Sequence, residues 1–289
     1  MINISNDWND YICLLSGDGE KLEKWGNYIL RRPDPQIIWS KNNNDNWDKW
    51  DAMYHRSNKG GGSWEIKNKL PNYWKINYKD LTFKVSPTNF KHTGIFPEQA
   101  VNWNYVMDKI KILKESNKEI RILNLFAYTG CATMAASKAG ATEVVHVDAS
   151  KGMVEWAKEN MHLCNLDNHK IRFIVDDVIK FLERENRRGR TYHGIIMDPP
   201  SYGRGPKGEI WRLEDNLQEL LNKAKDVLDN DYSFLLINSY TTGVSPTSLD
   251  NILRLTFKNS KIETGEIGLP IVKDNLVLPC GIYGKVTKD

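Results

Sequence analysis

The stretch Ile122-Leu123-Asn124-Leu125-Phe126-Ala127-Tyr128-Thr129-Gly130-Cys131-Ala132-Thr133-Met134-Ala135-Ala136 decides the fold. An apolar run ends in a turn with one glycine, and small residues then open a helix. Such a run belongs to a buried parallel strand. A glycine at the turn lets the backbone approach a ligand closely, and the first amides of the helix can hold its polar groups. The next apolar run, Val145-His146-Val147, ends at Asp148, 18 residues past Gly130. That is close to the spacing of one strand-helix-strand unit.

The same rhythm continues outward. Strands are expected at 121–125, 143–147, 171–175, 194–197 and 233–237. Helices are expected at 129–139, 150–164 (capped by Ser150), 178–187, 213–228 and 245–257, with a leading helix over 97–115 that has Pro97 in its first position. Strands alternating with helices predict an α/β fold with a doubly wound, mostly parallel sheet. Segments 261–268 and 276–286 read as two strands without an intervening helix, so one C-terminal strand is antiparallel. Before residue 95 the segments are short, aromatic and broken by turns such as Arg31-Arg32-Pro33-Asp34-Pro35 and Gly60-Gly61-Gly62. They predict a small β-rich subdomain over 1–95, a candidate for substrate recognition, followed by the main domain over 96–289.

In a sheet of this kind ligands bind beyond the carboxyl ends of the strands. Asp148, at the end of the second strand, can accept hydrogen bonds from both hydroxyls of a ribose. Phe126 and Tyr128 stand where a dinucleotide site would carry further glycines, so the turn is a poor pyrophosphate cradle. It suits a ligand with ribose and adenine but no diphosphate, such as S-adenosylmethionine. Asp176 and Asp177 end the third strand, and Asp177 can accept from the adenine amine. Each of these carboxylates, taken alone, could equally be a strand-end cap.

The fourth strand ends in Met197-Asp198-Pro199-Pro200-Ser201-Tyr202. The prolines fix φ and donate no hydrogen bond, so they hold the Asp198 carboxylate and the loop carbonyls in a rigid display. Those acceptors can hold an amine or a ring N–H, and Tyr202 can stack on a planar ring. This matches a flipped base held beside a methyl donor. The following loop, Gly203-Arg204-Gly205-Pro206-Lys207-Gly208, is basic and is expected to be a lid, a phosphate contact or an ordinary solvated loop.

Residues 124–130, Asp148, Asp177 and Asp198-Pro199-Pro200-Ser201-Tyr202 resemble the motifs of class I S-adenosylmethionine-dependent methyltransferases. More narrowly, the chain resembles the bacterial 23S ribosomal RNA methyltransferase family that includes 5-methylcytosine and 7-methylguanine enzymes. Lys91-His92-Thr93-Gly94-Ile95-Phe96-Pro97-Glu98-Gln99 resembles the element leading into that family's catalytic domain near the cofactor. The resemblance implies a Rossmann-like sheet, with S-adenosylmethionine as cofactor and S-adenosylhomocysteine as product. It implies cofactor contacts from Thr93, Phe96, Gln99, Asn124, Phe126, Ala127, Tyr128, Thr129, Gly130, Asp148, Ala149, Ser150, Asp176 and Asp177. It implies catalytic roles for Asp198, Pro199, Pro200 and Tyr202. A separate RNA-binding PUA domain in front is not expected.

There are departures. Glu98-Gln99-Ala100 replaces Asp-Gln-Arg, so an arginine contact is missing. The fifth strand ends in Ile237-Asn238-Ser239-Tyr240, where cytosine-C5 enzymes of the family carry a cysteine nucleophile. Transfer to a carbon needs such a thiolate, whereas a nitrogen lone pair attacks the methyl directly. The expectation is therefore methylation of a base nitrogen of RNA, most plausibly ribosomal RNA. A small-molecule or protein methyltransferase, or a non-catalytic module that binds cofactor or RNA, are the alternatives.

The remaining composition agrees. The chain has 289 residues with 40% hydrophobic and 27% charged, enough to bury a core without staples. No stretch of 18 apolar residues is present, and the first ten residues do not read as a secretory signal. The four cysteines lie far apart, which fits a reducing cytoplasm. No histidine pair has metal-ligand spacing, and no metal is expected. Residues 1–95 carry 14 basic and 11 acidic side chains, against 26 of each in the remainder. That surplus, with Arg31, Arg32, Lys67 and Lys69 as the handles, is the expected grip on RNA.

Overall fold

The computed structural model describes all residues except 58–60, 117–118, 205–209, 274 and 289. The chain forms two compact units. One holds residues 1–2, 102–266 and 281–289; the other holds 3–101 and 267–280. The C-terminal strands Ser260–Ile271 and Leu276–Lys288 are long enough to contribute to both.

In the larger unit the strands lie in the order Ile171–Val175, Glu143–Asp148, Arg121–Leu125, Gly194–Met197, Phe234–Ser239, all parallel to their neighbours. Leu276–Lys288 then runs antiparallel, pairing Leu235 with Val286 and Ser239 with Ile282. The expected mixed sheet with one antiparallel C-terminal member is what forms. Strand order reverses at Arg121–Leu125, since the chain leaves it first to one side and later returns to the other. That reversal opens a crevice at the carboxyl ends.

Period-two alternation gives each strand two buried faces. Leu123, Leu125, Val145, Val147, Leu235 and Ile237 pack with Phe181, Leu182, Leu217, Leu221 and Leu253 of the helices on one side. Ile122, Val144, Phe234 and Leu236 pack with Val106, Ile110 and Ala136 on the other. These side chains are 0–6% exposed, and each of the larger ones contributes about 1.5–3 kcal/mol by leaving water. Helix starts follow the sequence. Ser150, Asp177 and Ser245 cap Lys151–Leu163, Val178–Arg187 and Pro246–Thr256 through their side-chain oxygens. The helix expected from residue 129 begins instead at Cys131, because Gly130 has φ 81°. The leading helix starts as a tight 3-10 turn at Pro97–Gln99 and becomes α-helical over Ala100–Glu115.

The smaller unit is β-rich. Tyr11–Gly17, Glu20–Trp25, Tyr28–Pro33, Ala52–Arg56 and Gly62–Ile66 pair in sequence order. Trp74–Tyr78 and Leu81–Val85 form a separate hairpin. Trp8, Trp25, Trp47 and Trp74 are buried, so the tryptophan excess mainly builds core. The charges depart from expectation. Arg31 is bound to Glu20 at 2.6 Å. Arg32 is buried and makes two hydrogen bonds to Glu23, at 2.6 and 2.8 Å. These two arginines are committed to internal pairs, and Lys67 donates to the Asp48 carbonyl at 2.9 Å. At Arg31 and Arg32 the excess of basic residues in the count is thus not an excess of available charge.

Candidate active site

The strand registers set one row across the larger unit: Val147 opposite Leu125, Leu125 opposite Met197, and Met197 opposite Ile237. Whatever follows each strand therefore emerges along one edge. Phe126–Gly130, Asp148–Ser150, Asp176–Asp177, Asp198–Tyr202 and Asn238–Thr241 meet there. The structure thus brings together the sequence-identified residues that follow these strands; Asn124, inside the first strand, lies beneath them. Thr93, Phe96 and Gln99 belong to the other unit, on the segment entering the 3-10 turn, where Thr93 is fully buried.

The turn after the first strand is strained. Phe126 has φ 53° and Tyr128 φ 49°, ahead of Gly130 at 81°. Side chains rarely adopt this region, and each such residue costs about 1–3 kcal/mol. The sequence shows aromatic residues where glycines were looked for; the backbone nevertheless takes glycine-like angles. Gly130 itself has no alternative: a Cβ would lie 2.9 Å from the Ala157 Cβ.

Hydrogen bonds maintain the strain. Tyr128 N–H donates to Asp148 Oδ2 at 2.9 Å, and Ser150 N–H to Asp148 Oδ1 at 2.8 Å. Each oxygen thus receives one amide and has a second lone pair to offer a ligand. Burial raises the Asp148 pKa, partly offset by these two amides. Ala127 N–H donates to the Val147 carbonyl at 3.1 Å and Asp176 N–H to the Asp148 carbonyl at 3.1 Å, tying three strand ends together. Beneath the turn, Asn124 Nδ2 donates to Thr133 Oγ1 at 2.9 Å, and that hydroxyl lies 3.0 Å from His146 Nδ1. Asn160 Nδ2 donates to the Thr129 carbonyl at 2.9 Å. Asn124 is only 3% exposed, so it faces this support. Burial alone lowers the His146 pKa to about 3, which keeps the ring neutral.

At the third strand, Asp177 Oδ1 accepts from the Lys180 amide at 3.0 Å and so caps a helix. Asp176 pairs with Arg184 and accepts the Asp177 N–H at 2.8 Å. Val175, opposite Asp148 in register, is half-exposed and adds an apolar wall to this end.

The proline loop is held from three directions. Asp198 N–H approaches the Leu125 carbonyl at 3.4 Å, and Leu213 N–H donates to the Ser201 carbonyl at 3.1 Å. Trp211 Nε1 donates to the Pro200 carbonyl at 2.7 Å, and its ring lies 5.5 Å from Phe126. Thr241 Oγ1 donates to Ser201 Oγ at 2.8 Å, joining the fourth and fifth strand loops. Tyr202 is 49% exposed at the start of the short strand Tyr202–Arg204, which pairs with Ile210–Arg212. Residues 205–208 of the basic loop lie outside the described residues. Asn102 and Asn238 pair side chain to side chain at 2.8 Å behind the fifth strand end. Trp211, Thr241, Thr133 and the Asn102–Asn238 pair were missed by sequence reasoning. Trp211 alone carried a signal, an isolated tryptophan shortly after the proline loop.

No helix among the described residues is long and apolar enough to cross a membrane. No group of three His, Cys, Asp or Glu side chains among them is placed to hold a metal.

Residues 28–243 match the profile of an S-adenosylmethionine-dependent methyltransferase family. The structure is similar to that of an S-adenosylmethionine-dependent methyltransferase from Agrobacterium tumefaciens. That match has a TM-score of 0.93 and 34% identity, over 100% of this chain and 94% of that one. By sequence the chain is 30% identical over 158 residues to ribosomal RNA large subunit methyltransferase K/L of Pseudoalteromonas translucida, covering 54% of this chain and 21% of that protein. It is 34% identical over 158 residues to ribosomal RNA large subunit methyltransferase I of Tolumonas auensis, covering 54% of this chain and 34% of that protein. The chain thus spans about a third or less of the length of these two curated relatives.

Proposed function

The chain belongs to the S-adenosylmethionine-dependent methyltransferase family, and on that premise we propose that it methylates a base nitrogen of RNA, with ribosomal RNA as the substrate class. The observation that carries this reading is the rigid Asp198–Tyr202 loop beside the strained cofactor turn, in an edge with no reactive thiol. Cys131, the cysteine nearest in sequence to that turn, is buried, and burial pushes its thiol up to about 12. A group so poorly ionised is no nucleophile for attack on a ring carbon.

The residues fit the cofactor. The turn offers a glycine where a Cβ would collide, and a carboxylate with a free lone pair on each oxygen. Asp148 receives the ribose hydroxyls, the second oxygen of Asp177 receives the adenine amine, and Val175 lies against the ring. When bound, S-adenosylmethionine supplies an electrophilic methyl on sulfur. Asp198 and the loop carbonyls accept hydrogen bonds from the substrate nitrogen, orienting its lone pair toward that methyl, while Tyr202 stacks on the base. Proximity and orientation are the main contributions, worth up to about 7–11 kcal/mol in well-aligned reactions. In this reading the smaller unit recognises RNA, and the reaction belongs to the cytoplasm.

The test incubates the protein with methyl-labelled cofactor and RNA from a strain lacking the gene, followed by mass spectrometry of the nucleosides. An N-methylated nucleoside is expected. Asp198→Ala should slow transfer by about 10²-fold or more while cofactor affinity stays nearly constant. Label appearing in protein or in small molecules instead of RNA would overturn the substrate class.

A further inference from the structure

We propose that Lys170, Arg172, Arg188 and Arg190 form a docking surface for the phosphodiester backbone of the RNA substrate. It lies at the amino edge of the larger unit's sheet, the edge opposite the candidate active site. The proposal rests on the RNA reading above and adds a second contact to it.

Two buried carboxylates build the surface. Glu143 opens the strand Glu143–Asp148, and Glu185 lies near the end of the helix Val178–Arg187; both side chains are 1% exposed. A buried carboxylate needs a counter-charge, and one cation each would supply it. These two have four. Arg190 Nη2 donates to Glu143 Oε2 at 2.5 Å, with Lys170 Nζ at 3.4 Å from the same oxygen and Arg172 Nη1 at 3.6 Å from the other. Arg188 Nη1 donates to Glu185 Oε1 at 3.0 Å. Arg190 Nε lies 3.5 Å from Glu185 Oε2, which accepts the Tyr192 hydroxyl at 2.6 Å. Among the described residues no third carboxylate pairs with any of the four cations. The cluster therefore keeps two positive charges.

The backbone arranges these cations in a row. Gly189, at φ 62°, ends the helix, and Arg190 N–H returns to the Glu185 carbonyl at 3.0 Å. Arg190 thus touches both carboxylates, with Lys170 and Arg172 on its Glu143 side and Arg188 on its Glu185 side. The carboxylates hold the row from beneath, while Lys170 and Arg188 are 61% exposed and Arg172 and Arg190 33% and 32%. A guanidinium carries five donors, and the carboxylates take at most two from each arginine. Like charges held together repel. Phosphates seated against them replace that repulsion with charge-assisted, bidentate hydrogen bonds. A row suits the successive phosphates of a nucleic-acid strand better than one small anion does.

The experiment measures binding of a fluorescein-labelled oligouridylate to the full chain at several salt concentrations, alongside cofactor binding and thermal melting. Lys170→Gln/Arg188→Gln removes the two most exposed cations and leaves Arg172 and Arg190 to balance the two carboxylates. RNA affinity should fall about fivefold or more, with a salt slope shallower by roughly 1.4 for two lost single-strand contacts. Melting temperature and cofactor affinity should hold. Lys170→Gln alone, which keeps Arg190 on Glu143, should show about half of that change in slope and guards against a loss of fold in the double variant. Lys111→Gln/Lys158→Gln, on exposed lysines paired with Asp108 and Glu155, lowers net charge equally and should leave RNA binding intact. If wild type binds RNA and the Lys170/Arg188 variant binds with the same affinity and slope, the surface is overturned and the RNA reading survives. An equal loss in the Lys111/Lys158 control would likewise overturn it. Inorganic phosphate in place of chloride, at equal ionic strength, should displace little RNA. Displacement from wild type but not from the Lys170/Arg188 variant would make this a site for a free anion and overturn the assignment to RNA. If wild type binds no RNA even at low salt, the RNA reading fails and the docking surface falls with it.

Discussion

At the turn 126–130 the polar groups face outward from a strained backbone. Asp148 is fixed by two amides and keeps a lone pair on each oxygen. In the strands Glu20–Trp25 and Tyr28–Pro33 the charges close on one another. Glu23, fully buried, accepts from Arg32 twice and from Tyr11 at 2.7 Å, with Lys21 at 3.4 Å. Both regions contain a buried or half-buried carboxylate beside donors, yet only one has capacity left for a ligand. A tally of charged residues cannot distinguish them. The distinction is whether the partners are supplied by the fold itself.

The largest effect should come from opening the closed network. Glu23→Ala leaves Arg32 buried without its counter-charge, while Lys21 keeps Asp34 at 3.1 Å, and should cost about 3–5 kcal/mol, read as a lowered urea midpoint. Burial alone would raise the Glu23 pKa, but Arg32 and Lys21, with the hydrogen bonds from Arg32 and Tyr11, hold it at about 2. The stability it contributes is therefore complete above the ordinary carboxylate range and is lost as pH falls toward about 2. A Glu23→Ala protein as stable as wild type would erase the contrast.

A smaller effect is expected at the open carboxylate. Asp148→Ala should weaken cofactor binding by about 1–3 kcal/mol, roughly tenfold or more by calorimetry, while the fold persists. Unchanged affinity in the folded variant would remove Asp148 from the cofactor site and make it a turn brace like Asn124.

A third effect, read as a slope with pH rather than as a single loss, sharpens the comparison beneath the turn. His146, held neutral by burial with a pKa near 3, must take up a proton on unfolding at mildly acidic pH. Its contribution is present above the ordinary histidine range and is lost as pH falls. The slope is about 1.4 kcal/mol per pH unit from roughly pH 6.5 down toward 3. His146→Gln should flatten that slope relative to wild type in denaturation curves at stepped pH. Parallel curves would mean that the ring is not what makes this turn acid-sensitive.

The core strands of the larger unit, its helix caps and the residues emerging at the carboxyl edge were legible in the chain. Each is written locally: an apolar run, a capping Ser or Asp, a glycine, a pair of prolines. Boundaries were less legible where backbone angles decide them, as at Cys131, where the φ of Gly130 delays the helix past residue 129. The left-handed angles at Phe126 and Tyr128 were not legible, because propensity argues against them and only the surrounding hydrogen bonds enforce them. The role of Arg32 was misread because its partner Glu23 lies on the neighbouring strand of a pairing whose register composition does not contain.

By itself, then, the sequence determined the alternation of strands and helices, the antiparallel C-terminal member, and which carboxylates and prolines end which strand. Periodicity and turn chemistry act over a few residues, and a linear reading captures them. Only the tertiary structure decided which charges are consumed and which remain for a ligand. It also supplied the ties Ser201–Thr241 and Asn102–Asn238 that join residues 40 and 136 positions apart. Those pairings arise from strand order and register, set by burying both faces of the sheet at once, and no local pattern encodes them.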